Sequence, residues 1–206
     1  MNITQPHGEV ILSSITNFVA EIPNATPSNA DKDGSGPEVP TFGSFIKAES
    51  SEESFGIYAI VYNVTTQPYD SSHKPSALGL TRQELKVQQP HIFSLLQTLV
   101  HAQIIGFKKD TEIFMHLPPK PPQVHDFVFS LGSEEIRSIT DNLDFLNLLL
   151  NVTGIPADEL VAATIRSAAI CTSSPDDFLL AAGKAVGNLY RDDYDKLVSV
   201  LKKIRT

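Results

Sequence analysis

Phe55-Gly-Ile-Tyr-Ala-Ile-Val-Tyr-Asn-Val64 opens the stretch, ending at Phe129, whose reading decides the fold. It is rich in Ile, Val and Tyr, the side chains that suit a pleated surface, and reads as the strongest strand of the chain. A polar excursion follows and ends in Lys74-Pro-Ser-Ala-Leu-Gly79. Thr81-Arg-Gln-Glu84 then spells a capping box, in which the threonine hydroxyl takes an orphan backbone N–H and Glu84 reaches back to the cap. Pro90 cannot sit deep inside a helix, so the spacing predicts a short helix over 82–88 and a second turn after Pro90. Leu99–Phe107 and Thr111–Leu117 read as adjacent strands, with Lys108-Lys-Asp110 at the turn. The proline run at 118–122 is an extended connection, and Val124, Phe127 and Phe129 mark a last strand or extended packing segment. This order of elements describes a small antiparallel β-barrel with an inserted helix.

Upstream, Gly8 to Ile22 alternates loosely, with a bend at Ser13-Ser14. Pro23, Pro27, Pro37 and Pro40, interleaved with Gly, Asn, Ser and Asp, break the pattern and predict a mobile loop over 23–40. Thr41–Ala48 reads as another strand, and 65–79 as a second mobile loop. Downstream of Ser133 the period becomes helical. Leu143, Leu146, Leu149 and Leu150 recur at core-facing spacing. Pro156 with Asp158 and Glu159 starts a helix running to about Cys171, and Ser174-Pro-Asp-Asp177 starts the next. Arg191-Asp-Asp-Tyr194 interrupts, and Leu197, Val200, Leu201 and Ile204 stripe a final amphipathic segment. The expected class is therefore α+β: a barrel domain over 1–131 and a helical C-terminal subdomain over 132–206.

At 206 residues the chain can form one large domain or two small ones. A net charge of −8 argues against duplex-DNA binding, which wants a basic face. Lys202, Lys203 and Arg205 form the richest basic cluster, and cations in a last helical turn complement the macrodipole. One cysteine, Cys171, excludes an intrachain disulfide, and Asn2, Asn24, Asn63 and Asn151 begin Asn-x-Thr sequons that matter only in a secretory context. Neither a signal-peptide pattern nor an apolar run long enough to span a bilayer is visible, so the expected location is cytoplasmic.

Motifs with chemical meaning are scarce. Asp31-Lys-Asp33-Gly34-Ser-Gly36 places its glycine at position four of a would-be calcium loop, where the EF-hand geometry needs it at six. Ala182-Gly-Lys184 lacks the upstream glycine and the following Ser/Thr of a P-loop. The histidines have no zinc-helix spacing, although His116 and His125 flank the proline run and can approach across it. No Gly-x-Ser-x-Gly elbow is present. Cys171 sits at a helix C-terminus, where the dipole disfavours a thiolate. Gly183 and Gly187, four apart, allow close helix packing. Neither a cofactor nor a metal is expected.

The strand at 55–64, Ala77-Leu-Gly79, the Glu84…Gln89-Pro-His-Ile92 region, Ile104-Ile-Gly-Phe107 and Pro119-x-Pro-Pro-x-Val-His-Asp-Phe127 resemble a HAS-barrel protein over residues 8–130. That barrel is shared by HerA-type ATPases and the N-terminal parts of rotary ATP synthase subunits, with stand-alone versions notably in cyanobacteria. In the ATPases it is a non-catalytic module that helps assemble the ring, and this chain lacks their P-loop. The resemblance implies a non-catalytic assembly or docking role with a protein partner, such as an ATPase or membrane complex, or self-association. Two alternatives stand beside it. A ligand-binding protein or hydrolase would use a pocket at the barrel exit near His116, His125 and Asp126. An OB-like single-strand nucleic-acid binder would stack bases on Tyr58, Tyr62 or Phe45, against the acidic balance.

Overall fold

In the computed structural model, residues 6–23, 38–50, 55–70 and 75–205 are described. The β part comprises β1 (Gly8–Ser13), β2 (Asn17–Ile22), β3 (Phe45–Glu49), β4 (Phe55–Pro68), β5 (Leu96–Lys109), β6 (Glu112–Phe114) and β7 (Phe127–Ser130). All pairings are antiparallel, in the order β2-β1-β7-β3-β4-β5, and β5 returns to β2 through Asn17↔Gln103 to Ile22↔Thr98. That last pairing closes a six-stranded barrel, with β6 folded back on β5 as a hairpin. Register shifts at Val10/Leu12, Tyr58/Ala59 and Val61/Asn63 interrupt the ladders, and bulges of this kind bend and twist strands into closure.

The apolar run of β4 is continuous because both of its faces are buried. Ile57, Ala59 and Val61 point inward with Val10, Phe18, Ala20, Ile46, Val100, Ile104 and Val128. Tyr58 and Ile60 point outward and are equally buried, against the helices of the C-terminal subdomain. Those are α3 (Ser133–Ile139), α4 (Leu146–Leu149), α5 (Ala157–Cys171), α6 (Pro175–Leu189) and α7 (Tyr194–Lys203), with α5 touching the other four. Phe45 of β3 meets Phe145 edge-on, with ring centroids 6.4 Å apart. Two helices lie in the β4–β5 crossover: α1 (Arg82–Gln88), opened by the complete Thr81/Glu84 capping box, and α2 (His91–Ser94) after Pro90.

Three details depart from the sequence reading. Residues 65–68 are not loop but the distal end of β4, paired with Leu96–Leu99. The third strand starts at Phe45, because Phe42-Gly43 is a turn with Gly43 at φ +80°. The glycine pair does not make a tight seam: a Cβ on Gly183 would meet Leu201 at an ordinary 3.6 Å, and one on Gly187 would meet open space. Of the predicted 23–40 loop, 24–37 lies outside the described residues, as do 71–74 of the second loop.

The C-terminal cations do more than complement a dipole. Lys203 Nζ lies 2.7 Å from both Asp158 Oδ2 and Glu159 Oε1, clasping the end of α7 to the start of α5, and Arg166 donates to the Lys203 carbonyl at 2.8 Å. The Asp158 carboxyl is held below its ordinary value of 3.8, chiefly by the Lys203 hydrogen bond. A lowered carboxyl contributes stability that is whole above the ordinary value and is lost as pH falls through the lowered one. Asp158→Asn is therefore expected to cost about 1–2 kcal/mol at neutral pH, and the gap to the wild type closes in acid. Urea unfolding at both pH values checks this; an unchanged gap refutes it.

Candidate functional site

Two concavities stand out. The first is an apolar groove of about 630 Å³ between the crossover and the arm formed by the distal ends of β4 and β5. Its walls include Pro68, Tyr69, Leu78, Leu85, Ile92, Phe93, Leu95 and Leu96. Neither α1 nor α2 has a buried residue. Leu95 is 57% exposed, Tyr69 54% and Leu78 45%. The arm is tied down at its tip, where Tyr69 N–H donates to the Leu95 carbonyl and the Tyr69 hydroxyl donates to Glu21 of β2. That bond is the main reason the Tyr69 phenol is pushed up to about 12, with partial burial adding to it.

The charged residue of the groove wall is Asp70, and two cations lie beside the groove on α1. Arg82 and Lys86 are one helical turn apart on α1, and both are exposed. Arg82 lies over the Phe93 ring, 5.1 Å from its centroid, holding α1 against α2. Neither cation meets a carboxylate among the described residues. Glu84, between them, is committed to the Thr81 cap, whose hydrogen bonds hold its carboxyl low.

The second concavity is a polar cleft of about 300 Å³ where the barrel meets α3, lined by Lys47, Glu49, Tyr58, Lys108, Asp110 and Glu135 among others. The Tyr58 hydroxyl donates to Glu135 Oε1 at 2.9 Å. Lys47 Nζ lies 2.7 Å from Glu49 and 3.2 Å from Glu135. Burial, reinforced by Glu135, drives the Tyr58 phenol far above its ordinary value. Burial would lower Lys47, but Glu49 and Glu135 outweigh it and the net direction is upward. At neutral pH Lys47 is thus an ammonium and Tyr58 a neutral phenol, and neither is a base or nucleophile. The cluster ties α3 to the barrel wall.

The residues singled out in the sequence are dispersed. Tyr58 is 1% exposed and Phe45 2%, so neither ring is a free stacking face. Tyr62 is half-buried beside His101, at 6.0 Å between centroids, and burial pushes its phenol upward. His116 packs on Phe107 and Phe114, and its Nδ1 donates to the Leu117 carbonyl. His125, with φ +76°, instead approaches Glu9 through Nδ1 at 3.2 Å. Asp126 caps a local turn, accepting from the Gln123 N–H at 2.7 Å. Among the described residues, His116 and His125 share neither a hydrogen bond nor a ring contact across the proline run. Among the described residues no three His, Cys, Asp or Glu side chains are grouped to hold a metal ion, and no helix is long and apolar enough to cross a membrane. The calcium-loop reading at 31–36 lies outside the described residues.

Sequence reasoning missed the groove and Glu135. The signal for the groove was present: Tyr69, Leu78 and Leu95 are large side chains in a connection between two strands too short to bury them. Comparison with known protein families finds no match for the chain, and comparison with curated proteins finds none.

Proposed function

We propose that the chain is a non-catalytic assembly module built on a HAS-type barrel, which docks a partner protein in the groove of the β4–β5 crossover. One observation carries the reading. The barrel closes through strand pairing alone, yet its longest inter-strand connection carries two helices with no buried residue and displays an apolar groove. Exposed apolar side chains gathered into one groove, rather than scattered singly, mark a surface for contact with something else. The soft resemblance of residues 8–130 to HAS barrels supports the same role, with an ATPase or membrane complex as the class of client. The occupant that fits is an amphipathic segment with apolar anchors for the groove and, beyond its wall, carboxylates for the exposed Arg82 and Lys86 of α1, since charge complementarity around an apolar site selects partners and orients them.

Val87, 83% exposed on α1, offers a test without touching the groove wall. A photo-reactive phenylalanine analogue placed there is expected to crosslink, in cells of the native host, to a second protein through a segment carrying both apolar and acidic residues. Leu95→Glu and Arg82→Glu should each cut the yield about tenfold. A crosslinked segment without carboxylates, a yield indifferent to both substitutions, or no crosslinked protein at all would overturn the assignment.

A further inference from the structure

β4 outruns its neighbour. β3 pairs with it only up to Ile60, and Gly43 and Ser44 continue the contact to Val61. Beyond that, β4 is paired on one side only, with β5, as far as Pro68. Asn63, Val64, Thr66 and Gln67 are exposed. The direction of each backbone group along this edge follows from the flanking bonds. Tyr69 N–H bonds to Leu95, so 69, 67, 65 and 63 face β5. The N–H and C=O of Val64 and Thr66 therefore point outward. The other end agrees: Val61 points outward to Gly43 and Ser44, and the extra residue Tyr62 at the bulge moves the next outward position from 63 to 64. Among the described residues nothing accepts or donates to Val64 or Thr66 on that side.

Open edges are normally blunted by charge, proline or a bulge. Here the bulge at Tyr62 and the ring of Pro68 bound the window without entering it. Between them, Asn63-Val-Thr-Thr-Gln67 holds no charged residue and is rich in β-branched side chains. The window is also self-complementary. Placed antiparallel to its own copy about a two-fold axis at Thr65, Val64 faces Thr66 of the partner subunit, and these are the residues whose backbone groups point outward. No like charges oppose each other, although each chain carries −8 overall.

We infer that the distal edge of β4 is a dimerisation strand, pairing in register with the same strand of a second copy to make one sheet across the two-fold axis. This is separate from partner docking at the groove and stands or falls without it. Sedimentation of the purified full chain across micromolar concentrations is expected to approach twice the 22.5 kDa chain mass. Thr66→Pro deletes an N–H that only the dimer uses and leaves the β4–β5 ladder intact, so it should weaken association about tenfold or more with an unchanged circular dichroism spectrum. In a Cys171→Ser background, Thr65→Cys should form an intersubunit disulfide on mild oxidation, because opposed non-hydrogen-bonded residues lie within disulfide reach, whereas Thr66→Cys should not. A wild type that stays monomeric, a Thr66→Pro dimer as tight as wild type, or equal crosslinking at both positions would overturn the proposal. Loss of crosslinking at Val87 with dimerisation intact would sink only the docking role.

Discussion

Gly43→Val is expected to lower stability by about 2–5 kcal/mol, a large part of what a domain of this kind possesses. Gly43 sits at φ +80° in the turn before β3, and its N–H bonds to Val61 at 2.8 Å. A Cβ there would lie 2.6 Å from the Ala163 Cβ and 2.9 Å from the Thr164 nitrogen, both on α5. Two costs therefore add: the left-handed backbone, and the displacement of a helix whose buried residues form the centre of the second core. Gly79 provides the control. It too has positive φ, +69°, but nothing lies within 4 Å of the Cβ it lacks, so Gly79→Ala should carry only the conformational cost of about 1 kcal/mol. Without tryptophan the readout is tyrosine fluorescence or circular dichroism in urea. A Gly43→Val loss no larger than that of Gly79→Ala would mean that α5 does not press on this turn.

Ile104→Ala and Ile105→Ala are expected to cost about 2–5 kcal/mol each. Adjacent residues on a strand face opposite sides, and on a barrel with a wet exterior one of the two would be cheap to truncate. Here both are 0% exposed: Ile104 fills the barrel interior and Ile105 meets the helical layer. The variants should differ in where protection is lost. Ile105→Ala is expected to speed amide exchange in α5 more than in β2, and Ile104→Ala the reverse. An Ile105→Ala cost below about 1 kcal/mol would show the outer layer to be loosely packed.

Much of the chain's local structure could be read from its residues. The Thr81/Glu84 box, Pro90, Pro156 and Pro175 act on backbone groups within a turn of themselves, and α1, α2, α5 and α6 begin where those residues place them. The β5–β6 hairpin, with Asp110 at φ 54° in its turn, was equally visible. The loop boundary at 65 was misplaced because Thr65-Thr-Gln-Pro68 is polar, and an arm exposed on one edge needs no apolar residues to remain paired. The site was less visible still. Glu135 lies 77 residues from Tyr58, and no spacing rule connects a carboxylate on α3 to a phenol on β4.

By itself the sequence determined the α+β class, the division into strands followed by helices, and most helix starts, since periodicity, caps and prolines act over a few residues. Tertiary structure alone decided that β5 returns to β2 to close the barrel, that the outward face of β4 lies under the helical subdomain rather than in water, and that Tyr69, Leu78 and Leu95 share one groove. A continuous apolar run records burial on both faces without naming what buries each. Closure, coverage and clefts arise between segments far apart in the chain, where packing geometry takes over from local preference.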